Sequence, residues 1–146
     1  MATFVLVHGG WHGAWCWERL IPLLQAAGHQ VFAPTMTGFA ERANLLTPEV
    51  GISTHIEDIV QVIENHNLEK VILLGHSYGG MIITGVVDRV PDCIAHLVYL
   101  DTFVPKNGES MADIVPNNVR GLRKEAIAHG DGWLARGPAA CHAFWH

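Results

Sequence analysis

The sequence predicts an α/β fold, with a mostly parallel sheet of about four strands and helices that flank it. Two observations support this prediction. Short apolar runs alternate along the chain with longer segments in which apolar residues have helical spacing. The short runs are continuously apolar, which is typical of parallel strands that are covered on both faces. Strands that are separated by helices favour parallel pairing through right-handed crossovers.

The first strand is predicted over residues 3–7 (TFVLV), and it leads into a glycine-rich turn over residues 8–13. A helix with one apolar face is predicted over residues 14–27. Pro22 lies inside this helix, lacks a backbone N–H donor and should therefore kink or shorten it. Gly28 is a typical residue for ending it.

The second strand is predicted over residues 30–33, and a turn-rich loop follows it over residues 34–51. Thr54 and Glu57 have the spacing of a capping box, which predicts a helix that begins there and continues to about residue 65. The apolar residues of this segment keep helical spacing, so one face of the helix is expected to be buried.

The third strand is predicted over residues 70–74 (KVILL), and a second glycine-rich turn follows it. The next helix ends at Pro91, because proline cannot continue a helix. The fourth strand is predicted over residues 96–100 (HLVYL). In a sheet with right-handed crossovers, we expect the first and third strands to be neighbours.

The pattern changes near residue 105, which predicts two parts of the chain. Residues 1–105 contain all the predicted strands and form the core. Residues 106–146 are mostly polar at first and contain a weak helical pattern over residues 118–129. They end in a tail without a clear period, and no further strand is predicted there.

The composition excludes several classes of function. The chain has 146 residues, of which 49% are hydrophobic and 16% are charged, as expected for one globular domain. The formal charge is −5 and the nine Lys and Arg are scattered, so no nucleic-acid surface is predicted. No apolar stretch approaches the length of a membrane span. Three cysteines without a CxxC pair, and no signal peptide, predict a cytoplasmic protein.

The motif Gly75-x-Ser77-x-Gly79 is typical of a nucleophile elbow, and it lies between an apolar strand and a helix, as the elbow requires. A sharp turn there holds the serine in a strained conformation, so Ser77 is expected to have a positive φ. Helix N–H groups near the serine oxygen stabilise negative charge. The alternative, a phosphate-binding turn, requires a following Lys or a GxGxxG pattern, and neither is present.

A second motif, His8-Gly9-Gly10-Trp11, follows the first strand. An oxyanion hole needs two backbone N–H groups that point at one position. Tyr78 supplies one such group from the elbow, and Gly10 can supply the other. Because the carboxyl ends of neighbouring parallel strands lie at one edge of the sheet, we expect both motifs to meet there.

Four segments in order carry a resemblance to a known family: HGGWHGAWCW (8–17), VFAPTMTG (31–38), GHSYGG (75–80) and LVYLDTFVP (97–105). Together they resemble bacterial esterases of the α/β-hydrolase superfamily, which are related to plant methylesterases and hydroxynitrile lyases. The resemblance covers residues 3 to about 134.

The resemblance implies that Ser77 is the nucleophile of a carboxylic ester hydrolase and that Gly10 and Tyr78 are the oxyanion donors. It implies a small-molecule ester substrate, with no metal or organic cofactor. It also implies a helical cap that starts near Pro105, so that residues 106–146 are the start of the cap and a divergent tail.

The resembled family places its acid and its histidine after later strands, which this chain lacks. We therefore expect a C-terminally truncated chain that is inactive or weakly active alone. Asp101 and His12 are local candidates to complete a triad; a turn cap and a brace of the loop are their alternative roles. Without a later strand, the fourth strand keeps a free apolar edge, which predicts self-association.

Three other interpretations of the sequence remain. A non-catalytic α/β-hydrolase-like protein that binds a small ligand would have the same motifs. A hydroxynitrile lyase is disfavoured by Gly9 and His76, where the resembled lyases have threonine and glutamate. A metal site at Cys141, His142 and His146 is disfavoured, because three ligands on a terminal tail lack a fourth.

Overall fold

The structure is a computed structural model that describes residues 1–130, 132–134 and 137. The chain divides into two compact units, Met1–Val104 and Pro105–His146. The first unit contains a sheet of four strands: β1 (Thr3–Val7), β2 (Gln30–Phe32), β3 (Val71–Ser77) and β4 (Ile94–Thr102). Their order in the sheet is β2-β1-β3-β4, and all three pairs are parallel. The α/β class and the four-stranded parallel sheet are therefore confirmed.

Three α-helices connect these strands: α1 (Ile21–Ala26), α2 (Ile52–Asn65) and α3 (Gly79–Arg89). Helix α2 packs against α3, and α3 packs against β3 and β4. The first and third strands are neighbours, as expected, because each crossover adds its strand beside an earlier one.

The hydrophobic core lies around the two central strands. In β1 the last three residues are completely buried, and in β3 Val71 and Leu73 are, while the other apolar residues of these strands are half-buried. Burial on both faces of the central strands explains why they are continuously apolar in sequence. The helices contribute a second layer of apolar side chains. The completely or almost completely buried residues of the core include Val5, Val7, Val71, Leu73, Ile59, Ile63, Ile82 and Val86.

The helix predicted over residues 14–27 is wrong in its first half. A 3₁₀-helix covers Ala14–Trp17, and the α-helix begins only at Ile21. Pro22 consequently lies in the first turn of α1, where its missing N–H has no intrahelical partner to lose. The proline determines where the helix begins rather than kinking it.

The predicted capping box of the second helix is also wrong. Helix α2 begins two residues earlier than Thr54, with Gly51 as its N-cap. Thr54 is therefore inside the first turn, where its Oγ1 accepts a hydrogen bond from the Gly51 N–H at 3.2 Å. Glu57 lies further along the helix and forms an ion pair with Arg89 of α3 at 2.7 Å.

In its described residues, the second unit contains two helices, α4 (Met111–Ile114) and α5 (Pro116–Ala128), which pack against each other. Helix α5 corresponds to the weak pattern over residues 118–129, and Pro116 occupies its first position, where proline is favoured. Helix α4 was not predicted. Within the part of the chain that the structure describes, no helix has the length and apolar character needed to cross a membrane.

Candidate active site

Ser77 lies at the junction between β3 and α3. Its φ is +53°, a left-handed conformation that is strained for a residue with a side chain. Tyr78 follows at once with helical backbone angles as the N-cap of α3. The positive φ that the motif predicts for Ser77 is observed, and the chain makes the sharp strand-to-helix turn that exposes a serine at the carboxyl edge of a sheet.

The glycines of the elbow (residues 75–80) are required by close backbone contacts. A Cβ atom on Gly75 would lie 2.6 Å from the carbonyl oxygen of Gly79. A Cβ atom on Gly79 would lie 2.7 Å from the carbonyl oxygen of Val7 in β1. Both distances are shorter than van der Waals contact, so the turn and its packing against β1 exclude any side chain at these two positions.

The loop that follows β1 (residues 8–13, the oxyanion loop) lies against the elbow. A Cβ atom on Gly9 would lie 3.0 Å from Ser77 Cβ and 3.2 Å from the His76 carbonyl oxygen. The last residue of β1, Val7, pairs with Gly75, the first residue of the elbow. The structure therefore brings the two glycine-rich motifs to one edge of the sheet. That the N–H groups of Gly10 and Tyr78 point at one position stays a prediction.

His8 is a buried brace of the oxyanion loop. Its Nε2 accepts a hydrogen bond from the Met36 N–H at 3.0 Å, so its Nδ1 carries the proton and donates to the Gly9 carbonyl oxygen at 2.8 Å. Burial lowers the pKa of His8 to about 4, although the bond to Gly9 opposes this shift. His8 is thus a neutral imidazole with both nitrogens engaged, which makes it unsuitable as a general base.

The hydrogen bond from His8 to the Gly9 carbonyl also orients the N–H group of Gly10. The Gly9 carbonyl and the Gly10 N–H belong to the same planar peptide and point in opposite directions. By holding the carbonyl oxygen, His8 therefore determines the direction of the Gly10 N–H.

His12 holds the next peptide of the same loop. Its Nδ1 lies 2.6 Å from the Gly10 carbonyl oxygen, so Nδ1–H donates to it. Its ring stacks on Trp15, with centroids 5.2 Å apart, and lies 6.0 Å from the ring of His76. These contacts match the alternative role of His12 as a brace, and its role as a base stays a prediction.

Asp101 lies in a bulge at the end of β4. Leu100 pairs with His76 and Thr102 pairs with Ser77, so Asp101 is an extra residue between two paired positions. Its φ is +42°, which is strained for aspartate. Burial and the nearby His12 lower the pKa of His76, and the carboxylate of Asp101 opposes this. The fourth strand thus places Asp101 beside the residue that precedes Ser77.

His55, a buried and hydrogen-bonded histidine on α2, was not identified from the sequence. Tyr78 donates its hydroxyl to His55 Nδ1 at 2.8 Å, and His55 Nε2–H donates to the Thr37 carbonyl oxygen at 2.9 Å. Asp58 in turn accepts from the Thr37 N–H and hydroxyl at 2.6 and 2.9 Å. A signal existed, since His55 has helical spacing to the buried Ile59 and therefore belongs to the apolar face of α2.

Three further histidines and Cys141 lie in residues 105–146. His129 bonds its own helix, with Nδ1 donating to the Glu125 carbonyl oxygen at 2.8 Å. Cys141, His142 and His146 lie outside the described residues. Within residues 1–130, 132–134 and 137, no group of three or more His, Cys, Asp or Glu side chains could hold a metal ion.

The family model with the description Alpha/beta hydrolase family matches residues 4–146. The chain belongs to the α/β-hydrolase family. Among curated relatives, the carbendazim hydrolyzing esterase of Nocardioides sp. (strain SG-4G) is 53% identical over 116 residues, which are 80% of this chain and 48% of that protein. Methylesterase 8 of Arabidopsis thaliana is 38% identical over 108 residues, 73% of this chain and 40% of that protein.

A solved structure shows the same architecture in three dimensions. An extracellular α/β-hydrolase from a Paenibacillus species superimposes with a TM-score of 0.82 and 33% sequence identity. The match covers 90% of this chain and 53% of that one. The chain therefore spans about half the length, or less, of the α/β-hydrolases that it resembles.

Proposed function

We propose that this chain is part of a serine-dependent carboxylic ester hydrolase in which Ser77 is the nucleophile. The observation that carries the proposal is the φ of +53° at Ser77, between β3 and α3. In a nucleophile elbow the serine is strained because a sharp turn exposes its oxygen beside the N–H groups of the following helix. The names of the relatives, an esterase that hydrolyses carbendazim and a methylesterase, support a small-molecule ester as the substrate.

In the proposed reaction, Ser77 Oγ attacks the ester carbonyl and loses its proton to a base. The tetrahedral intermediate carries a negative oxygen, which the N–H groups of Gly10 and Tyr78 stabilise. The intermediate collapses, the alcohol leaves with a proton, and an acyl-serine remains. Water then hydrolyses this acyl-enzyme through a second oxyanion and restores Ser77. No metal ion or organic cofactor takes part in these steps.

Other parts of the proposal concern the surroundings of this site. Residues 106–146 are proposed as the start of a cap and a divergent tail, and the helical character of α4 and α5 supports this. In the described residues β4 pairs with β3 alone, and this one-sided pairing supports self-association. A reducing, cytoplasmic environment is proposed because Cys16 and Cys93 are free thiols, although one similar structure belongs to an extracellular protein.

A fluorophosphonate probe tests whether Ser77 is a nucleophile. We expect slow but specific labelling of Ser77, read by peptide mass spectrometry, which Ser77→Ala abolishes. Ser53→Ala, at an exposed serine of α2, is the matched control and should leave labelling unchanged. Absence of labelling at position 77 in a folded chain would contradict the hydrolase and favour the binding protein without catalysis.

Hydrolysis of p-nitrophenyl acetate measures how complete the site is. We propose that no local group completes a triad with Ser77, and we expect a rate near background from this chain alone, because removing the base costs about a millionfold in a serine protease. A turnover typical of esterases that Ser77→Ala abolishes would show instead that a local group completes the site. His12→Gln and Asp101→Asn would then identify that group.

A further inference from the structure

Thr102, the last residue of β4, lies directly against the elbow. Its hydroxyl donates a hydrogen bond to the carbonyl oxygen of Ser77. Its side chain is packed so closely against α3 that a Cβ atom on Gly80 would collide with Thr102 Oγ1 and lie 3.0 Å from Thr102 Cγ2. Thr102 thus has one polar and one steric contact with the turn that carries Ser77.

The bulge at Asp101 produces this contact. The register of β3 and β4 shifts between His76 and Ser77, which inserts Asp101 with a φ of +42° and brings Thr102 opposite Ser77. A bulge disrupts the regular ladder and redirects the side chain that follows it. At this position a side-chain hydroxyl, rather than the ladder alone, holds the Ser77 carbonyl.

The Ser77 carbonyl is important because it shares a peptide with the Tyr78 N–H. In a planar trans peptide the two groups point in opposite directions, so a donor on the oxygen determines where the N–H points. If this peptide rotated, a carbonyl oxygen would replace an N–H beside the developing oxyanion and would repel it. The geometry is the same as for His8, which holds the Gly9 carbonyl and with it the Gly10 N–H.

We propose that Thr102 is a positioning residue that holds the Ser77–Tyr78 peptide so that the Tyr78 N–H is directed at the oxyanion. This inference rests on the proposed function, in which Tyr78 is an oxyanion donor. Thr102 acts through the peptide and does not contact the substrate. It also explains how the strained φ of Ser77 persists, since such a conformation needs surrounding groups that hold it in place.

The test compares two reactions at position 77 in a Ser77→Cys background, where the thiol reacts without a complete triad. Acyl transfer from p-nitrophenyl acetate passes through an oxyanion, whereas alkylation by iodoacetamide does not. Peptide mass spectrometry distinguishes position 77 from the other cysteines. Thr102→Val removes the hydroxyl at almost constant shape, and Thr102→Ser retains it.

We expect Thr102→Val to slow acylation at position 77 by about tenfold, because complete loss of an oxyanion donor costs about a hundredfold or more. Alkylation should change by less than about twofold, and Thr102→Ser should restore acylation. Thr84→Val is the matched control, because Thr84 also donates to a carbonyl, that of Gly80 at 2.8 Å, but within helix α3 and not at the Ser77–Tyr78 peptide. It should leave the ratio of the two reactions unchanged.

An equal decrease of both reactions in Thr102→Val, no decrease in either, or no rescue by Thr102→Ser would overturn the positioning role. A separate readout does not depend on reactivity: the Tyr78 amide resonance should shift in Thr102→Val and not in Thr84→Val. If position 77 acylates no faster than Cys93 while the amide shifts as expected, the proposed function fails and the positioning of the peptide stands. An unmoved amide resonance would refute the positioning itself.

Discussion

Strands β3 and β4 are neighbours with similarly apolar sequences, but they differ sharply in burial. Val71 and Leu73 of β3 are completely buried, whereas Val98 and Leu100 of β4 are 37% and 45% exposed. Strand β3 has a partner on each side, and β4 is the last strand of the sheet in the described residues. The register places Leu73 beside Leu97 and Leu74 beside Val98, so the two buried residues and the two exposed residues also lie on opposite faces of the sheet. Hydrophobic sequence therefore indicates a strand in both cases, and the position in the sheet together with the face of the sheet decides how deeply each side chain is buried.

The two faces of β4 also differ from each other. Leu97 and Tyr99 pack against the core on the side of α3, where the Tyr99 hydroxyl lies 2.8 Å from Thr84 Oγ1. Val98 and Leu100 are on the opposite face. In the described residues this face is partly exposed and β4 has a neighbour on one side only, which is the basis for the proposed self-association. By contrast, the end of β3 that carries Ser77 contacts β1, α3 and Thr102.

The largest expected difference between the two strands is in hydrogen exchange. Amides at residues 71–74 should exchange only through global unfolding, whereas those at residues 97–100 should exchange through local opening. We expect protection factors that differ by about a hundredfold or more between the two groups, measured by NMR. Equal protection of both strands in a monodisperse monomer would show that the edge of β4 is covered.

The second prediction concerns the pH dependence of the free energy of unfolding that the buried His8 causes. His8 has an ordinary pKa of 6.5 when unfolded and a pKa of about 4 when folded, because burial disfavours its charged form. The folded state therefore gains stability from neutral His8 above pH 6.5 and loses it as the pH falls toward 4. The free energy of unfolding should decrease by about 2 kcal/mol between pH 7 and pH 5 from this group.

Urea denaturation across this pH range measures that decrease. His8→Gln should remove most of the slope, even though it lowers stability at every pH, since Gln does not titrate. His96→Gln is the control, because His96 is exposed on β4. An unchanged slope in His8→Gln would assign the pH dependence to other groups.

The third prediction uses the same substitution on both strands. Val71→Ala should lower the free energy of unfolding by about 2 kcal/mol, because it leaves a cavity in a fully packed core. Val98→Ala should cost less than about 1 kcal/mol, since its side chain is already partly in water. Chemical denaturation of both variants checks the difference. Similar costs would mean that the exposed face of β4 is buried in solution.

The smallest expected effect concerns association through β4. A lysine at Leu100, which is 45% exposed, adds charge to the edge with little loss of packing, and charge at an edge opposes pairing. Leu100→Lys should shift any dimer toward monomer by about tenfold in dissociation constant, measured by analytical ultracentrifugation. Gln61→Lys, which makes the same change of charge at an exposed position of α2, is the control. Dimers that both variants leave unchanged would use another surface.

Much of the site could be predicted because its parts are local in sequence. The elbow needs only a strand, three small residues around Ser77 and a helix, all within a few positions, and the positive φ follows from that arrangement. The residues that hold the elbow were not predictable. Thr102 and His55 lie 25 and 23 positions from the residues that they bond, and nothing in a single sequence indicates those contacts.

The sequence by itself determined the order of strands and helices, the parallel sheet and the position of the strained serine. Apolar periodicity and glycine spacing act over a few residues, and backbone sterics make their consequences local. Only the tertiary structure decided at which residue a helix begins. Gly51 rather than Thr54 is the N-cap of α2 once the loop before it is in place. It also decided that β4 is exposed and that a bulge at Asp101 turns Thr102 toward Ser77, since both depend on which strands pair and in which register.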